Sequence, residues 1–526
     1  MRRLRTHWVL LSVTCIGVFL RFTNLNWDLG SRLHPDEALI VNGSLAITFF
    51  SQLSPGFHDY NGLSVYLLKA ASLIASFLFR SPYWSVTPEG VTVVGRFVSA
   101  LLSSLAIPLL YILGKQLWKK ETGIIAATLL AFTPLLIQLA HFYTTESMLI
   151  FLELLLLFAI LRYARDPNRH SLVRMSIPVG LLLATKNTAY LFVPIPIAAI
   201  IVSNQQAYGK VRALALFLIV SITTFFAASP YSFIDLTGYL LRSRYLTDVV
   251  SGRLLMDWTM QFQDTTGLFW ILNLLFAFGP LSILGPIGIV GFLSNNYKTW
   301  KKPLYVIAMW CIGFLIFLAC TYLKFTRYSA PLIPFFALFA AKFLRDIPKT
   351  RIGKILLYGA IGSQLLSGLM FFSVYTTDHT SVTAAQWIST HVPPDSVILI
   401  EEWNSIVRFS RPEVMRQNYQ LISFNFYTLP DDAAKQQQLT KAISKAEYIV
   451  IESPKVKNTV TRLRSRYPHS KKFYEDLENG KLGFTKVATF TSYPRFGPFI
   501  SNDDSAEETF TVFDHPTITI YRNNLK

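Results

Sequence analysis

Long apolar blocks, separated by short charged stretches, run through roughly the first 375 residues of the chain. In the stretch from Met148 to Ile160 only Glu153 interrupts the pattern. A helix of about 20 apolar residues crosses roughly 30 Å of hydrocarbon, so such blocks read as membrane helices. On this pattern helices fall at 7–22, 92–116, 122–140, 146–163, 172–185, 188–203, 211–229, 267–293, 303–321, 329–345 and 353–375. That is about eleven crossings, an odd number, which sets the two ends of the chain on opposite sides.

Three polar segments are long: 22–91, 230–266 and 376–526. The first holds the amphipathic pieces Asp36–Phe50 and Leu63–Phe79, which suit a membrane surface. In the third, the apolar runs Ser396–Ile400 and Tyr448–Ile451 read as buried strands, and Thr383–Thr390 and Val456–Arg466 read as helices. Thr509–Tyr521 alternates like a hairpin around Asp514-His515-Pro516. The expected organisation is an α-helical polytopic membrane part, residues 1–375, and a small α/β domain outside the membrane, residues 376–526.

Charge supports an orientation. With the N-terminus inside, the inner loops carry Arg2, Arg3 and Arg5, then Lys115, Lys119 and Lys120, then Arg162, Arg165, Arg169 and Arg174. Lys210 and Arg212 follow, then Lys298, Lys301 and Lys302, then Lys342, Arg345, Lys349, Arg351 and Lys354. Every expected inner loop is basic, as positive-inside topology requires. This places the N-terminus in the cytoplasm of a plasma or inner membrane and the tail on the extracytoplasmic side. The apolar run after Arg5 ends in Arg21-Phe22-Thr23-Asn24 without a small-residue cleavage site, so an uncleaved first helix is expected.

Charged residues make up 15% of the chain, against about 25% in soluble domains, which excludes a soluble protein. The net charge of +18 is then accounted for by inner loops beside anionic lipid, with no nucleic-acid partner. Cys15, Cys311 and Cys320 lie in apolar stretches without metal-type spacing and read as helix packing.

Charges on the outer side of the bundle need a reason, because ionisable groups near hydrocarbon are costly. His34-Pro35-Asp36-Glu37 follows the first helix. Proline and acidic residues suit a first helical turn, and a carboxylate there also suits a base that takes a proton from an attacking hydroxyl. Arg96, in Gly95-Arg96-Phe97-Val98-Ser99-Ala100, either snorkels to headgroups or holds a phosphate with its planar fork. Glu146, after His141-Phe142-Tyr143-Thr144-Thr145, either favours a helix start or forms a second acidic point beside Asp36. Lys186 sits in a short outer turn, and Lys324-Phe325-Thr326-Arg327-Tyr328 in another; both are candidate phosphate ligands. Arg242, Arg244, Arg253, Asp235, Asp257 and Asp264 in the 230–266 loop are solvated loop charges or part of a lid. Phosphate-binding P-loop, zinc-protease and serine-hydrolase motifs are missing from the sequence.

The order of these features, H-P-D-E after one helix, a long outer loop, a G-R-F-x-S-A helix, an acidic residue after a His/Tyr loop, then T-K, resembles glycosyltransferase family 39. This is the protein O-mannosyltransferase and aminoarabinose-transferase type, with the GT-C fold. The resemblance spans roughly residues 7–345. It implies a membrane glycosyltransferase of the cell envelope, transferring a hexosyl or pentosyl group. The donor would be a polyprenyl-phosphate sugar, and a hydroxyl on a lipid, glycan or protein acceptor would receive the sugar on the extracytoplasmic face with inversion.

Asp36 is then the base and Glu37 its positioning neighbour; Glu146 matches a second acidic position, Arg96 a lipid-phosphate arginine and Lys186 a basic position. Chemistry extends the phosphate role to Lys324 and Arg327, with His34, His141 and Tyr328 lining the site. No cofactor is essential; a divalent ion bridging Asp36 or Glu146 to the phosphate is compatible with these groups but not indicated. Glu146 stands where many relatives have Asp, and the β-trefoil of the eukaryotic O-mannosyltransferases is missing, which weighs against a protein acceptor. Two rival classes remain: a transporter or flippase of a lipid-linked or anionic solute, which needs charges at mid-membrane depth, and a non-catalytic scaffold, which needs no clustering of Asp36, Glu146, Arg96 and Lys186.

Overall fold

The computed structural model describes residues 2–203, 207–296, 303–402 and 412–524. Lys298, Lys301 and Lys302 of the expected inner loops lie outside these residues.

The apolar blocks fold as helices that carry large hydrophobic side chains on their outer surfaces. Phe19, Phe77, Ile219, Ile316 and Ile352 are all more than half exposed. A helix apolar on its outer face as well as its inner one belongs in lipid, and the chain is an integral membrane protein. Among the described residues, Pro88–Leu117, Glu146–Arg165, Gly209–Ala228, Pro303–Cys320 and Arg351–His391 are long and apolar enough to cross a membrane. Two further candidates are bent pairs. Lys120–Ala131 meets Pro134–Ala140 at 62°, and Gly267–Phe278 meets Leu281–Asn295 at 109°. Each break falls at a proline, Pro134 and Pro280, which cannot donate the backbone hydrogen bond that would continue the helix. The expected single helices 122–140 and 267–293 are therefore corrected to broken ones. Among the described residues, length and composition support five to seven crossings, fewer than the expected eleven, because the helices at 7–22, 172–185, 188–203 and 329–345 are too short or too polar to count.

The amphipathic pieces of the first outer segment part company. Pro35–Ala46 is a helix whose Ile40 and Val41 are fully buried, so it packs inside the protein and not along a surface. Gly62–Leu78 buries Val65 and Leu68 on one face and leaves Ile74, Phe77 and Leu78 exposed on the other. Of the cysteines, all free, only Cys311 packs inside; Cys15 and Cys320 are exposed.

The tail folds around a five-stranded mixed sheet. Its strands are β1 Val397–Glu401, β2 Gln420–Phe424, β3 Tyr448–Ile451, β4 Phe484–Phe490 and β7 Ile518–Asn523, in the order β2-β1-β3-β7-β4. A separate small hairpin pairs β5 Arg495–Phe496 with β6 Phe499–Ile500. The runs VILI and YIVI in β1 and β3 are apolar without alternation because both faces are covered, as parallel neighbours usually are. The two helices expected in the tail form at Thr380–His391 and Lys455–Arg462, and two more, Ala433–Lys445 and Pro468–Glu478, pack on the sheet as well.

The hairpin expected at Thr509–Tyr521 is not formed. Glu508–Thr511 is a short helix, and only Ile518–Asn523 is a strand, set antiparallel between β3 and β4. Phe510 and Val512 leave the ladder because they bury themselves among the membrane helices, where Phe510 packs on Phe371.

This detour docks the tail onto the bundle. Asp514 accepts hydrogen bonds from Tyr375 Oη at 2.7 Å and Gln138 Nε2 at 3.0 Å. His515 is held between Asp514 and Asp503, with its Nε2 2.9 Å from Asp503. Burial alone would depress the imidazole, but the two carboxylates outweigh it and raise its pKa to about 10. A raised folded-state pKa stabilises the protein fully below the unfolded value of about 6.5, and that contribution is lost as pH rises through the folded value. The melting temperature is therefore expected to fall between about pH 7 and 10, and His515→Gln should remove most of that slope in thermal scans across this range.

Candidate active site

Pro35 opens the helix Pro35–Ala46 with His34 at its N-cap, so Asp36 and Glu37 occupy the first turn, where carboxylates favour the helix dipole. Successive residues on a helix point about 100° apart. The two carboxylates therefore face different surroundings, one a sealed ion cluster and the other a more open one.

Glu37 faces Arg96. The helix carrying Arg96 starts at Pro88 behind Thr87, whose side chain accepts from Gly90 N–H as N-cap. Arg96 is fully buried and every donor is used. Its Nε and Nη2 donate to the two Glu37 oxygens at 2.9 and 2.7 Å. Its Nη1 and Nη2 donate to Asp28 at 3.0 and 2.9 Å, and Nη1 also reaches Leu25 O at 2.9 Å. Trp27 lies against the guanidinium plane at 4.7 Å. One cation serves two buried carboxyls here. Burial pushes Glu37 up despite Arg96, whereas at Asp28 the Arg96 charge outweighs burial and holds the group at about 2. Gly95 belongs to the same construction. A Cβ there would lie 2.6 Å from the Tyr143 ring, and Tyr143 N–H donates to Glu37 at 2.8 Å. The structure thus leaves Arg96 no free donor for the expected phosphate, and it turns Glu37, the expected positioning neighbour of Asp36, toward Arg96. With no donor left and no exposure, this pair locks the first outer segment to the bundle.

Asp36 faces the other way. It forms an ion pair with Arg327, and Tyr60 donates to it. Burial would raise the Asp36 carboxyl, but Arg327, the Tyr60 hydroxyl and Lys186 hold it well below the usual carboxylate range. Arg327 Nη1 also points at His34 Nε2, 3.2 Å away. Burial depresses His34 to about 4, so the ring is neutral, Nε2 accepts and Nδ1 carries the hydrogen. Beside this group Lys186 Nζ donates to Glu146 Oε1 at 2.7 Å and lies over the Tyr328 ring at 4.8 Å and the Tyr60 ring at 5.8 Å. Lys186 is fixed by its position at the C-cap of Arg169–Thr185, and Glu146 by opening the helix Glu146–Arg165. The side chains of Asp36, Arg327 and Lys186 keep 22, 13 and 12% of their surface open. Four hydrogen-bonding atoms at this cluster are buried without a hydrogen-bond partner: the acceptors Glu146 Oε2 and Asp36 Oδ2, the latter facing Arg327 in the ion pair, and two donors, Arg327 Nε and His34 Nδ1. A buried unpaired donor costs about 1–3 kcal/mol, so the two donors are sites that a ligand acceptor would satisfy.

Of the other expected site residues, His141 is committed to structure. Its ring nitrogens lie 2.8 and 2.9 Å from the Ile137 and Thr23 carbonyls, and it stacks on Tyr375 at 3.6 Å. Lys324 donates to Thr321 O at 2.7 Å in its own turn, 6% exposed, and is corrected to a loop brace. The 230–266 segment forms the helix Leu236–Val250, whose Tyr239 hydroxyl donates to Asn187 next to Lys186. Arg242 pairs with Asp59, and His58 lies 2.9 Å from Asp235, which ties this segment over the first outer one. Tyr60 and Phe513 were not expected. Tyr60 lies in an irregular loop without a motif, and Phe513, 4.4 Å from His34, comes from the tail. Among the described residues no three His, Cys, Asp or Glu side chains form a metal-holding group.

The backbone arrangement matches known structures. Oligosaccharyltransferase AglB from Archaeoglobus fulgidus, solved with an inhibitory peptide and a dolichol-phosphate, superposes with a TM-score of 0.54 at 15% identity, covering 90% of this chain and 72% of that one. ArnT from Cupriavidus metallidurans bound to undecaprenyl phosphate superposes over 98% of both chains, with a TM-score of 0.50 and 11% identity. The fold is GT-C. A family model described as dolichyl-phosphate-mannose-protein mannosyltransferase also matches residues 87–233. That window of the GT-C bundle contains Glu146 and Lys186, while Asp36 and Arg327 lie outside it. No curated protein sequence matches the chain.

Proposed function

We propose that this GT-C protein transfers a sugar from a polyprenyl-phosphate donor to an acceptor hydroxyl on the extracytoplasmic face, with inversion at the anomeric carbon. The observation that carries the proposal is the outer cluster: a carboxylate, Asp36, sharing one arginine, Arg327, with a vacant hydrogen-bonding position at Nε. The lipid phosphates named in the AglB and ArnT structures are of the matching chemical class. A scaffold would leave these charges scattered, and they are gathered.

In the proposed reaction the acceptor oxygen bonds to the anomeric carbon as the bond from that carbon to the phosphate oxygen breaks. Asp36 takes the hydroxyl proton. The leaving polyprenyl phosphate gains a second negative charge, which Arg327 and Lys186 stabilise. The charge count of the cluster stays constant, because protonation of Asp36 removes one negative charge as the phosphate acquires one. Arg327 thereby loses its attraction to the carboxyl at the moment its attraction to the phosphate doubles. Glu146 holds Lys186 in place. The sugar and the acceptor are left open by these groups.

The test is to incubate purified protein with a panel of radiolabelled polyprenyl-phosphate sugars and follow the label from lipid to acceptor or water. Wild type alone should turn over at least one donor; no turnover of any, with undecaprenyl phosphate also unbound, would sink the proposal. Binding gives a sharper check. Arg327→Ala should weaken undecaprenyl phosphate by about 10- to 100-fold, the worth of a charge-assisted contact of about 1.5–3 kcal/mol. Lys324→Met should leave it within about twofold, because that ammonium is spent on its own turn.

A further inference from the structure

Arg327 reaches the cluster from a short 3-10 segment, Thr326–Leu332, and a segment of that kind has little rigidity of its own. Its fixed start comes from the tail. Glu507, 1% exposed, accepts from Thr326 N–H at 3.0 Å and from Thr326 Oγ1 at 3.1 Å through a single carboxylate oxygen. That oxygen also accepts from Thr509 Oγ1 at 2.8 Å, and its partner oxygen accepts from Thr509 N–H at 2.9 Å. The Glu507 main chain is anchored in turn, since its N–H donates to Asn273 Oδ1 on the membrane helix Gly267–Phe278. One buried carboxylate thus caps two helical starts at once: its own, Glu508–Thr511, and the turn that presents Arg327.

We propose that Glu507 is a positioning residue of the outer cluster: it holds the Thr326 turn so that Arg327 and Tyr328 face Asp36 and Lys186. The tail is then part of the site's machinery and not only an appendage to it. The neighbouring Glu508 pairs with Lys455 and has no hydrogen bond to the Thr326 turn, so two adjacent acidic residues have separable roles. This rests on the reading of Arg327 as a ligand of the lipid phosphate.

Three variants separate the roles. Glu507→Asp keeps a charge and still caps the Glu508–Thr511 start, but the shorter side chain does not reach Thr326. Glu507→Gln keeps the reach and loses the charge. Glu508→Gln changes the same short helix without touching the Arg327 turn. The measurement is affinity for labelled undecaprenyl phosphate in detergent, with melting temperature alongside, for each variant in both the wild-type and the Arg327→Ala background.

Glu507→Asp is expected to weaken binding about tenfold while melting within a few degrees of wild type, and to add nothing in the Arg327→Ala background. Glu507→Gln should behave likewise, and Glu508→Gln should bind as wild type does. Losses that add to that of Arg327→Ala, or an equal loss in Glu508→Gln, would mean that the tail helix supports the fold in general and would overturn the proposal. So would unchanged binding in Glu507→Asp. If Arg327→Ala itself binds normally, the phosphate role of Arg327 fails first and this inference with it. If Arg327→Ala binds weakly and Glu507→Asp does not, only the inference fails.

Discussion

An Asp36→Asn protein is expected to fold, insert and bind undecaprenyl phosphate, yet to transfer sugar about 10²- to 10⁴-fold more slowly than wild type, the usual worth of a general base. The asparagine amide keeps the shape of the carboxyl and can still accept from Tyr60, so packing is preserved. It cannot take a proton. It also releases Arg327 from its ion pair, so affinity for the lipid phosphate should stay level or rise while turnover collapses. A charge-neutral loss of binding would not show that split. The pH profile adds a second check. Because Asp36 is held well below the usual carboxylate range, it is ionised throughout the working range and its charge is lost only on strong acidification. His34, at about 4, stays neutral over the same range. The wild-type kcat/KM should therefore show no acid limb above about pH 5. A limb near pH 6 would identify a different group as the base.

The largest loss of stability is expected at Arg96, not at any residue of the outer cluster. Arg96→Met leaves Asp28 and Glu37 buried with their shared cation gone, and breaking a buried ion pair from one side typically costs about 3–5 kcal/mol. Arg96→Lys should fail nearly as badly, since an ammonium offers three donors where five are spent. Expression level, detergent extraction and melting temperature would all fall, before any question of catalysis arises. Arg327→Ala, by contrast, should cost less than Arg96→Met, because Asp36 keeps 22% of its side-chain surface open and Lys186 stays beside it. A well-folded Arg96→Met protein that merely binds lipid phosphate weakly would reverse this division of labour.

These two predictions mark where sequence reading succeeds and stops. Helical blocks, the H-P-D-E turn and the cations at helix ends stand out locally, and Asp36, Glu146, Lys186, Arg327 and Tyr328 come together in space. Which of two adjacent carboxylates faces the open cluster is a matter of helix rotation, and neither composition nor spacing fixes it. Arg96 looks the same in sequence whether its donors are free or spent; only its partners, Asp28 and Glu37, from a different segment, decide. The breaks at Pro134 and Pro280 carried a local signal that apolar averaging hides. Glu507 and Phe513 carried none, since Glu507 contacts Thr326, 181 residues away, and Phe513 contacts His34 near the opposite end of the chain.

The position of the docking segment has a consequence for biogenesis. Residues 503–523 follow every apolar helix in the chain, and β7 closes the middle of the sheet. A nascent chain can thus thread all its helices into the bilayer while the turn bearing Arg327 still lacks its cap and His34 its Phe513 cover. The Asp36–Arg327 cluster gains these two tail contacts only once the tail has emerged and folded back, so under the proposed function a chain truncated before residue 503 is expected to integrate yet to turn over donor poorly.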